Sequence, residues 1–378
     1  MAESPQLRNL NILLEYRAWF ERLLELRTRE LRRRERGAML DDEDEIEEEG
    51  RIRAALDRDG AALEARLREP GAADSETPVA RVARSYGLSP VEVRVLLLAL
   101  MPAIDTGFRM RIARYKDNIL FNYVDVDLVA NLFWDDERDK LEALAIFGPQ
   151  ERLAEHRLLR MVHHGDLTND DLINQELRLP ERMVNFLLGH GVLATSLASF
   201  ATLKKPVLSF DEVFVPEEDK ARVRSLLASA ERGVAQGAFL FIGGPGTGKS
   251  SFTEAMATHS GRQLLVVDCA RWLTGADVHS DPQRAVEDVF QEAVFQNAVL
   301  ALENLGALLE PRSVLIGALA EALGDHRGLT VLTMTKRDAL DAMVERAVLI
   351  ELRFERPLIE ERAQLWRYFV PPQARLAE

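Results

Sequence analysis

The segment FLFIGGPGTGKSSFTEAMA, Phe239 to Ala257, decides how the rest of the chain is read. The apolar run Ala238 to Ile242, which begins one residue before it, has the length and composition of a buried strand, Gly243 to Ser250 fits G-x-x-x-x-G-K-S, and an amphipathic helix follows. Strand, glycine loop and helix in this order make a phosphate cradle. Small residues let backbone N–H groups converge on phosphate oxygens, and the helix start adds the positive end of its dipole. The expected binding set is Gly243, Gly244, Pro245, Gly246, Thr247, Gly248, Lys249, Ser250 and Ser251. Within it, Lys249 can reach the β- and γ-phosphates while the Ser250 hydroxyl ligates Mg2+.

Toward the N-terminus, Lys204-Lys205-Pro206 breaks the pattern and suits a domain boundary near 200 to 208. Three segments are expected: N-terminal helices with a charged linker over 1–75, a winged-helix-like helical domain over 76–203, and the phosphate-loop domain over 208–370. In the first, Leu13, Tyr16, Phe20, Leu23 and Leu24 recur at spacings of three and four, a packing face. The basic block RTRELRRRER (27–36) and the acidic block DDEDEIEEEG (41–50) read as solvated helix faces or a linker. Gly37 and Gly50 bracket what reads as an exposed, mobile connection.

In the second segment, TPVARVARSYGLSPVEVRVLLLALMPA (77–103) reads as a helix, a turn at Gly87 and a second helix. Ser89 can cap that second helix, with Pro90 in its first turn and Glu92 closing a capping box. It is nearly all Val and Leu, with Arg94 its one basic residue, so it is expected to pack rather than to read base edges. LPERMVNFLLG (179–189) reads as a helix begun by Pro180 and ended by Gly189. The adjacent His163 and His164 cannot share a helix face and are read without a metal.

A formal net charge of −14 over 378 residues opposes non-specific binding to nucleic acid or an anionic membrane. Protein and small-molecule partners are expected instead. The single cysteine, Cys269, follows the apolar run Leu264 to Val267 and reads as a core thiol. MAESPQLRNLNILLEYRAWF lacks the pattern of a secretory signal, and the most apolar run, Val93 to Ala103, is far short of the ~20 residues of a bilayer span. A cytoplasmic protein without a membrane segment is expected.

GGPGTGKS (243–250) is close to the loop GPPGTGK[ST] of the AAA-type (AAA+) P-loop ATPases, and FDEVFVPEEDKARVRSLL (210–227) resembles their lead-in strand and helix. The resemblance runs from about Phe210 to Val370. It implies an α/β P-loop NTPase fold, a parallel sheet with flanking helices, preceded by the mainly α-helical, winged-helix-like domain. It also implies ATP and Mg2+ as cofactors and a homo-oligomeric ring or neighbouring subunits as partners. A winged-helix-like region followed by one ATPase module is similar to a bacterial group found with phage-tail-like contractile injection systems. That likeness would make the N-terminal domain's partner a protein component or cargo of such an apparatus.

The chain also departs from the family pattern. NAVLALENLGALL (297–309) resembles the strand that ends in Asp-Glu, which puts Glu303 at the Mg2+-organising acid and Asn304 at the catalytic Glu. Asn304 can hydrogen-bond a water but cannot take its proton, and losing a general base costs ~10²- to 10⁴-fold in rate. Glu303 is one methylene longer than Asp, and a shift of about 1 Å can cost around 10²-fold. Binding should survive better than turnover. A one-residue shift would instead make Glu303 the base and leave Leu302 at the metal position.

In LTVLTMTKRDALD (329–341), the resemblance puts Thr335 at the polar residue that senses the γ-phosphate, and Arg346 lies near the arginine finger that reaches a neighbouring subunit's nucleotide. After PLIEERAQLWRYFVPPQ (357–373) too little chain remains for the family's helical lid, so a C-terminal lid is expected to be absent. Three functions are open: a slowly hydrolysing Mg-ATP-dependent assembly or remodelling protein, a non-hydrolysing nucleotide-gated scaffold, and a GTP switch. The last rests on ENLG (303–306) and TKRD (335–338), which mimic D-x-x-G and N-K-x-D.

Overall fold

The computed structural model describes residues 5–36, 43–68, 77–163, 171–191, 193–231, 237–309, 315–326, 328–337, 342–356 and 362. The chain divides into two compact units at Gly191/Val192.

In the first unit, α1 (Pro5–Arg36) and α2 (Glu43–Arg68) form an antiparallel hairpin. The predicted stripe Leu13, Tyr16, Phe20, Leu23 and Leu24 is buried, together with Leu56, Leu63 and Leu67 of α2. Trp19 donates from Nε1 to the Leu56 carbonyl at 2.8 Å and packs against Gly60. Where described, the charged blocks lie on helices and are mostly exposed. Arg29 meets Glu48, Arg33 meets Glu49 and Arg36 meets Glu45, so the basic end of α1 faces the acidic start of α2. The exposed Arg29–Glu48 and Arg36–Glu45 pairs contribute about 0–1 kcal/mol each, so they set helix register more than stability, whereas Glu49 is buried. Gly50 lies within α2 rather than in a connection, and Gly37 is outside the described residues.

Helices α3 (Pro78–Ser85) and α4 (Pro90–Ile104) follow as expected. Ser89 and Glu92 close the capping box, with Glu92 N to Ser89 Oγ at 3.3 Å and Ser89 N to Glu92 Oε2 at 2.6 Å. Val93 and the run Val95–Met101 are buried, and Arg94 Nε pairs with Glu64 at 2.6 Å, so most of α4 packs into the core rather than facing a base edge. The unit continues through α5 (Thr106–Tyr115), α6 (Val126–Phe133), α7 (Glu137–Ala143) and α8 (Arg152–Glu155). A two-stranded antiparallel sheet, β1 (Arg160–Val162) with β2 (Glu176–Arg178), precedes α9 (Glu181–Leu187). Helix α9 ends as predicted at Gly189, which has φ +82°. His163 follows β1, and His164 lies outside the described residues.

The second unit is a six-stranded sheet with helices on both faces. In chain order it runs β3 (Ala201–Lys204), α10 (Glu217–Glu231), β4 (Ala238–Gly243), α11 (Lys249–His259), β5 (Gln263–Asp268), α12 (Cys269–Trp272), α13 (Ala276–Ser280), α14 (Pro282–Phe295), β6 (Ala298–Glu303), α15 (Gly306–Leu309), α16 (Leu315–Asp325), β7 (Thr330–Met334), α17 (Ala342–Arg346) and β8 (Val348–Phe354). The strand order is β3-β5-β6-β7-β4-β8, all parallel except β3, which runs antiparallel to β5. Three of the four residues of β3, 201–203, lie inside the expected winged-helix-like segment 76–203, yet the strand pairs with Leu264–Val267 in the second unit.

Central strands are apolar on both faces, as a covered parallel sheet requires. Leu240, Leu265, Leu300 and Leu332 pack on one side with α14 and α16, while Phe239, Phe241, Val299 and Val331 pack on the other with Phe252 and Met256 of α11. The lead-in to α10 differs from expectation. Phe210–Glu212 is a 3-10 turn rather than a strand, closed by the Ser209–Glu212 capping box. Phe210 sits on Phe252 with ring centroids 5.4 Å apart. Among the described residues no helix is long and apolar enough to cross a membrane. The question of a lid concerns 357–378, which apart from 362 lie outside the described residues.

Candidate functional site

The parallel strands deliver their C-terminal ends to one edge of the sheet, and the glycine loop opens there from β4. Gly243 leaves the strand so close to β8 that an added Cβ would stand 2.3 Å from the Phe354 carbonyl oxygen. Gly248, at φ +97°, turns the chain into α11 through a conformation that a Cβ would strain. Thr247 is buried, and its hydroxyl donates to the Gly244 carbonyl at 2.9 Å. Pro245 and Gly246 form the exposed tip, and Ser250 and Ser251 stand exposed in the first turn of α11.

The Lys249 ammonium lies inside the loop, donating to the carbonyls of Gly243 at 2.6 Å and Gly244 at 2.7 Å. Burial pushes its pKa below the usual lysine range, against an opposing pull from the Glu303 charge. Ser250 Oγ donates to Glu303 Oε1 at 2.5 Å, which joins the helix after the loop to the end of β6. Glu303 is half-buried and lies beside Asp268 in the β5–β6 register.

Immediately after Glu303 the chain turns. Asn304 is exposed and adopts φ +58°, and its N–H donates to Thr333 Oγ1 at 3.3 Å. Thr335 is exposed just past the end of β7, on the same edge as the loop. Arg346 is exposed at the end of α17, directly before β8, whose Val348 pairs with Ala238 at the start of β4. That is the opposite edge. The length of β4 separates it from the loop by about 17 Å at ~3.3 Å per residue.

The structure thus brings together the loop, Ser250, Glu303 and Asn304, with Thr335 nearby, and leaves Arg346 apart. Sequence reasoning did not single out Thr333 or Asp268. Thr333 is a buried β-branched residue inside an apolar strand, and only strand pairing reveals what its hydroxyl faces. Asp268 ends β5 and caps α12, accepting from Ala270 N at 3.0 Å and Arg271 N at 3.3 Å. Cys269 is buried, and burial raises its thiol pKa far beyond titration near neutrality, in keeping with a core thiol. The guanine-reading comparison hangs on Asp338, which lies outside the described residues.

Among the described residues no group of three or more His, Cys, Asp or Glu side chains could hold a metal ion by itself. One hydroxyl and one carboxylate beside a phosphate cradle suit an Mg2+ ion that arrives with a phosphate ligand, because Mg2+ keeps several waters and takes few protein donors. Ser250 and Glu303 are that pair.

The family model "Winged helix domain, variant" matches residues 8–201, just over half of the chain. The model "ATPase family associated with various cellular activities (AAA)" matches residues 239–358. No curated protein matches the chain in sequence. Among solved structures, the FIGL-1 AAA domain in complex with ADP is 19% identical with a TM-score of 0.38, and the match covers 45% of this chain and 63% of that one. The E. coli MS115-1 HORMA:CdnC:Trip13 complex is 15% identical with a TM-score of 0.38, covering 47% and 76%. A katanin self-assembly structure is 18% identical with a TM-score of 0.38, covering 46% and 64%.

Proposed function

We propose, for a chain that belongs to the variant winged helix domain family and joins that domain to an AAA ATPase domain, a Mg-ATP-binding ATPase whose nucleotide state governs protein assembly or remodelling. The observation that carries this reading is the 2.5 Å hydrogen bond from Ser250 to Glu303, because it sets a hydroxyl and a carboxylate together at the mouth of the phosphate loop. Lys249 and the loop N–H groups bind phosphates, and Ser250 with Glu303 would hold Mg2+. The metal ion, when bound, offsets charge on the phosphates. Asn304 orients a water without accepting its proton, so turnover is slow, by ~10²- to 10⁴-fold relative to a site with a general base.

Assembly follows the same logic. Arg346, exposed on the far edge, cannot serve its own loop and would serve a neighbouring copy in a ring. The N-terminal unit docks a protein partner, of which a component of a contractile injection apparatus is the candidate. The test is Mg-ATP binding and steady-state phosphate release on one preparation, with Lys249→Ala as the blank. Binding with release above the blank supports the ATPase; absence of binding sinks it. Competition between ATP and GTP on that preparation decides the base.

A second reading is a nucleotide-gated scaffold that does not hydrolyse. Asn304 favours it, since φ +58° is a conformation asparagine tolerates better than glutamate, so the amide serves the turn. Binding with release no faster than the blank would select this reading.

A further inference from the structure

We infer that Thr333 is a positioning residue, acting through the Asn304 turn to hold Glu303 at Ser250. The inference rests on the Mg-nucleotide reading above and deepens it. Thr333 is 4% exposed in β7, the strand between the loop-bearing β4 and the Glu303-bearing β6. The β6–β7 register pairs Leu302 with Leu332, so the next residues along, Glu303 and Thr333, leave the ladder side by side.

Two consecutive N–H groups of the departing chain end on this one residue. Asn304 N donates to Thr333 Oγ1 at 3.3 Å, and Leu305 N donates to the Thr333 carbonyl at 2.9 Å. Any residue could supply the carbonyl; only a hydroxyl at this position supplies the other acceptor. Beyond them Leu305 and Leu308 are buried, and the turn closes with Ala307 N to the Asn304 carbonyl at 2.9 Å. The core therefore holds the far side of the turn and Thr333 the near side. Glu303 is the last strand residue before it, and its carboxylate meets Ser250 at 2.5 Å. Valine would fill the same volume and favour the strand equally. The hydroxyl is what a purely packing residue would not need.

The test uses the full chain and ATP, titrated in excess Mg2+ and in EDTA, on wild type, Thr333→Val and Thr333→Ser. The expected result is that T333V keeps its affinity in EDTA but loses about 3- to 10-fold of the gain Mg2+ confers, the size of one hydrogen bond. T333S, which keeps the hydroxyl and loses the methyl, should retain that gain. A role in packing alone predicts the reverse order, with T333S the more damaged. T333V with an undiminished Mg2+ gain, or T333S losing as much as T333V, overturns the inference while leaving the nucleotide reading intact. Wild type that binds no ATP under either condition overturns both. Should T333V fail to fold, T333S decides alone: retention of the gain supports the inference and its loss overturns it.

Discussion

Ser250 and Glu303 lie 53 positions apart in the chain and 2.5 Å apart in space, hydroxyl to carboxylate. This contact joins the first turn of the helix after the phosphate loop to the end of β6. It puts Glu303, rather than Leu302, beside the Ser250 hydroxyl. With Ser250 at Glu303, the alternative register would need Leu302 there, and Leu302 is buried in the core.

Glu303→Gln should weaken Mg-dependent ATP binding by about 10- to 100-fold, because charge-assisted hydrogen bonds contribute about 1.5–3 kcal/mol. Affinity in EDTA should hardly change. Calorimetric titration with and without Mg2+ reads both; equal losses under the two conditions would mean that Glu303 does not serve the metal.

Asn304 holds a left-handed backbone, so substitutions there should be ordered by conformational tolerance rather than by size. Asn304→Gly should leave the melting temperature within a degree or two of wild type, and Asn304→Ala should cost about 1 kcal/mol. Asn304→Asp is the mildest way to add a carboxylate. Asn304→Glu should combine a stability cost of about 1 kcal/mol with faster phosphate release if the remaining site is competent. Unchanged release would support the scaffold.

His326 Nε2 is buried without a hydrogen-bond partner among the described residues, and the ring meets Phe290 edge-on. Burial, and secondarily the charge of Arg262, lowers its pKa from 6.5 to about 4. The folded chain therefore favours the neutral ring. Below the unfolded pKa the unfolded chain binds the proton more readily, so stability is full above about pH 6.5 and is lost as pH falls toward about 4. The loss approaches about 3 kcal/mol. His326→Leu should flatten that part of a melting-temperature profile; an unchanged slope would assign the acid sensitivity to other groups.

Glu30 and Arg27 are buried in a cluster with Arg53 and Asp135, in which Arg27 also donates to the Leu132 carbonyl at 3.0 Å. Glu30→Ala should cost about 3 kcal/mol, because it strips a partner from a buried guanidinium. Neutralising an exposed hairpin pair, as in Arg36→Ala, should cost under about 1 kcal/mol. Urea unfolding of both variants checks the contrast.

What the chain alone determined was whatever is local. The phosphate loop is contiguous, so Gly243 to Ser251 could be read in one line, and the Ser89–Glu92 capping box spans four residues. The helical stripe of α1 repeats within single turns, and each of its predicted residues is buried. Tertiary structure decided what depends on partners distant in sequence. The basic and acidic blocks, read singly, look solvated, and only the hairpin shows them facing each other. Thr333 looks like one more β-branched strand residue until β6 is laid beside it. Asn304 reads as missing chemistry from the sequence and as a turn residue from its φ of +58°. The reason is physical: propensity, capping and loop geometry act over a few residues, whereas a hydroxyl's partner or a charge's neighbour is chosen by strand order and helix packing, which no short stretch encodes.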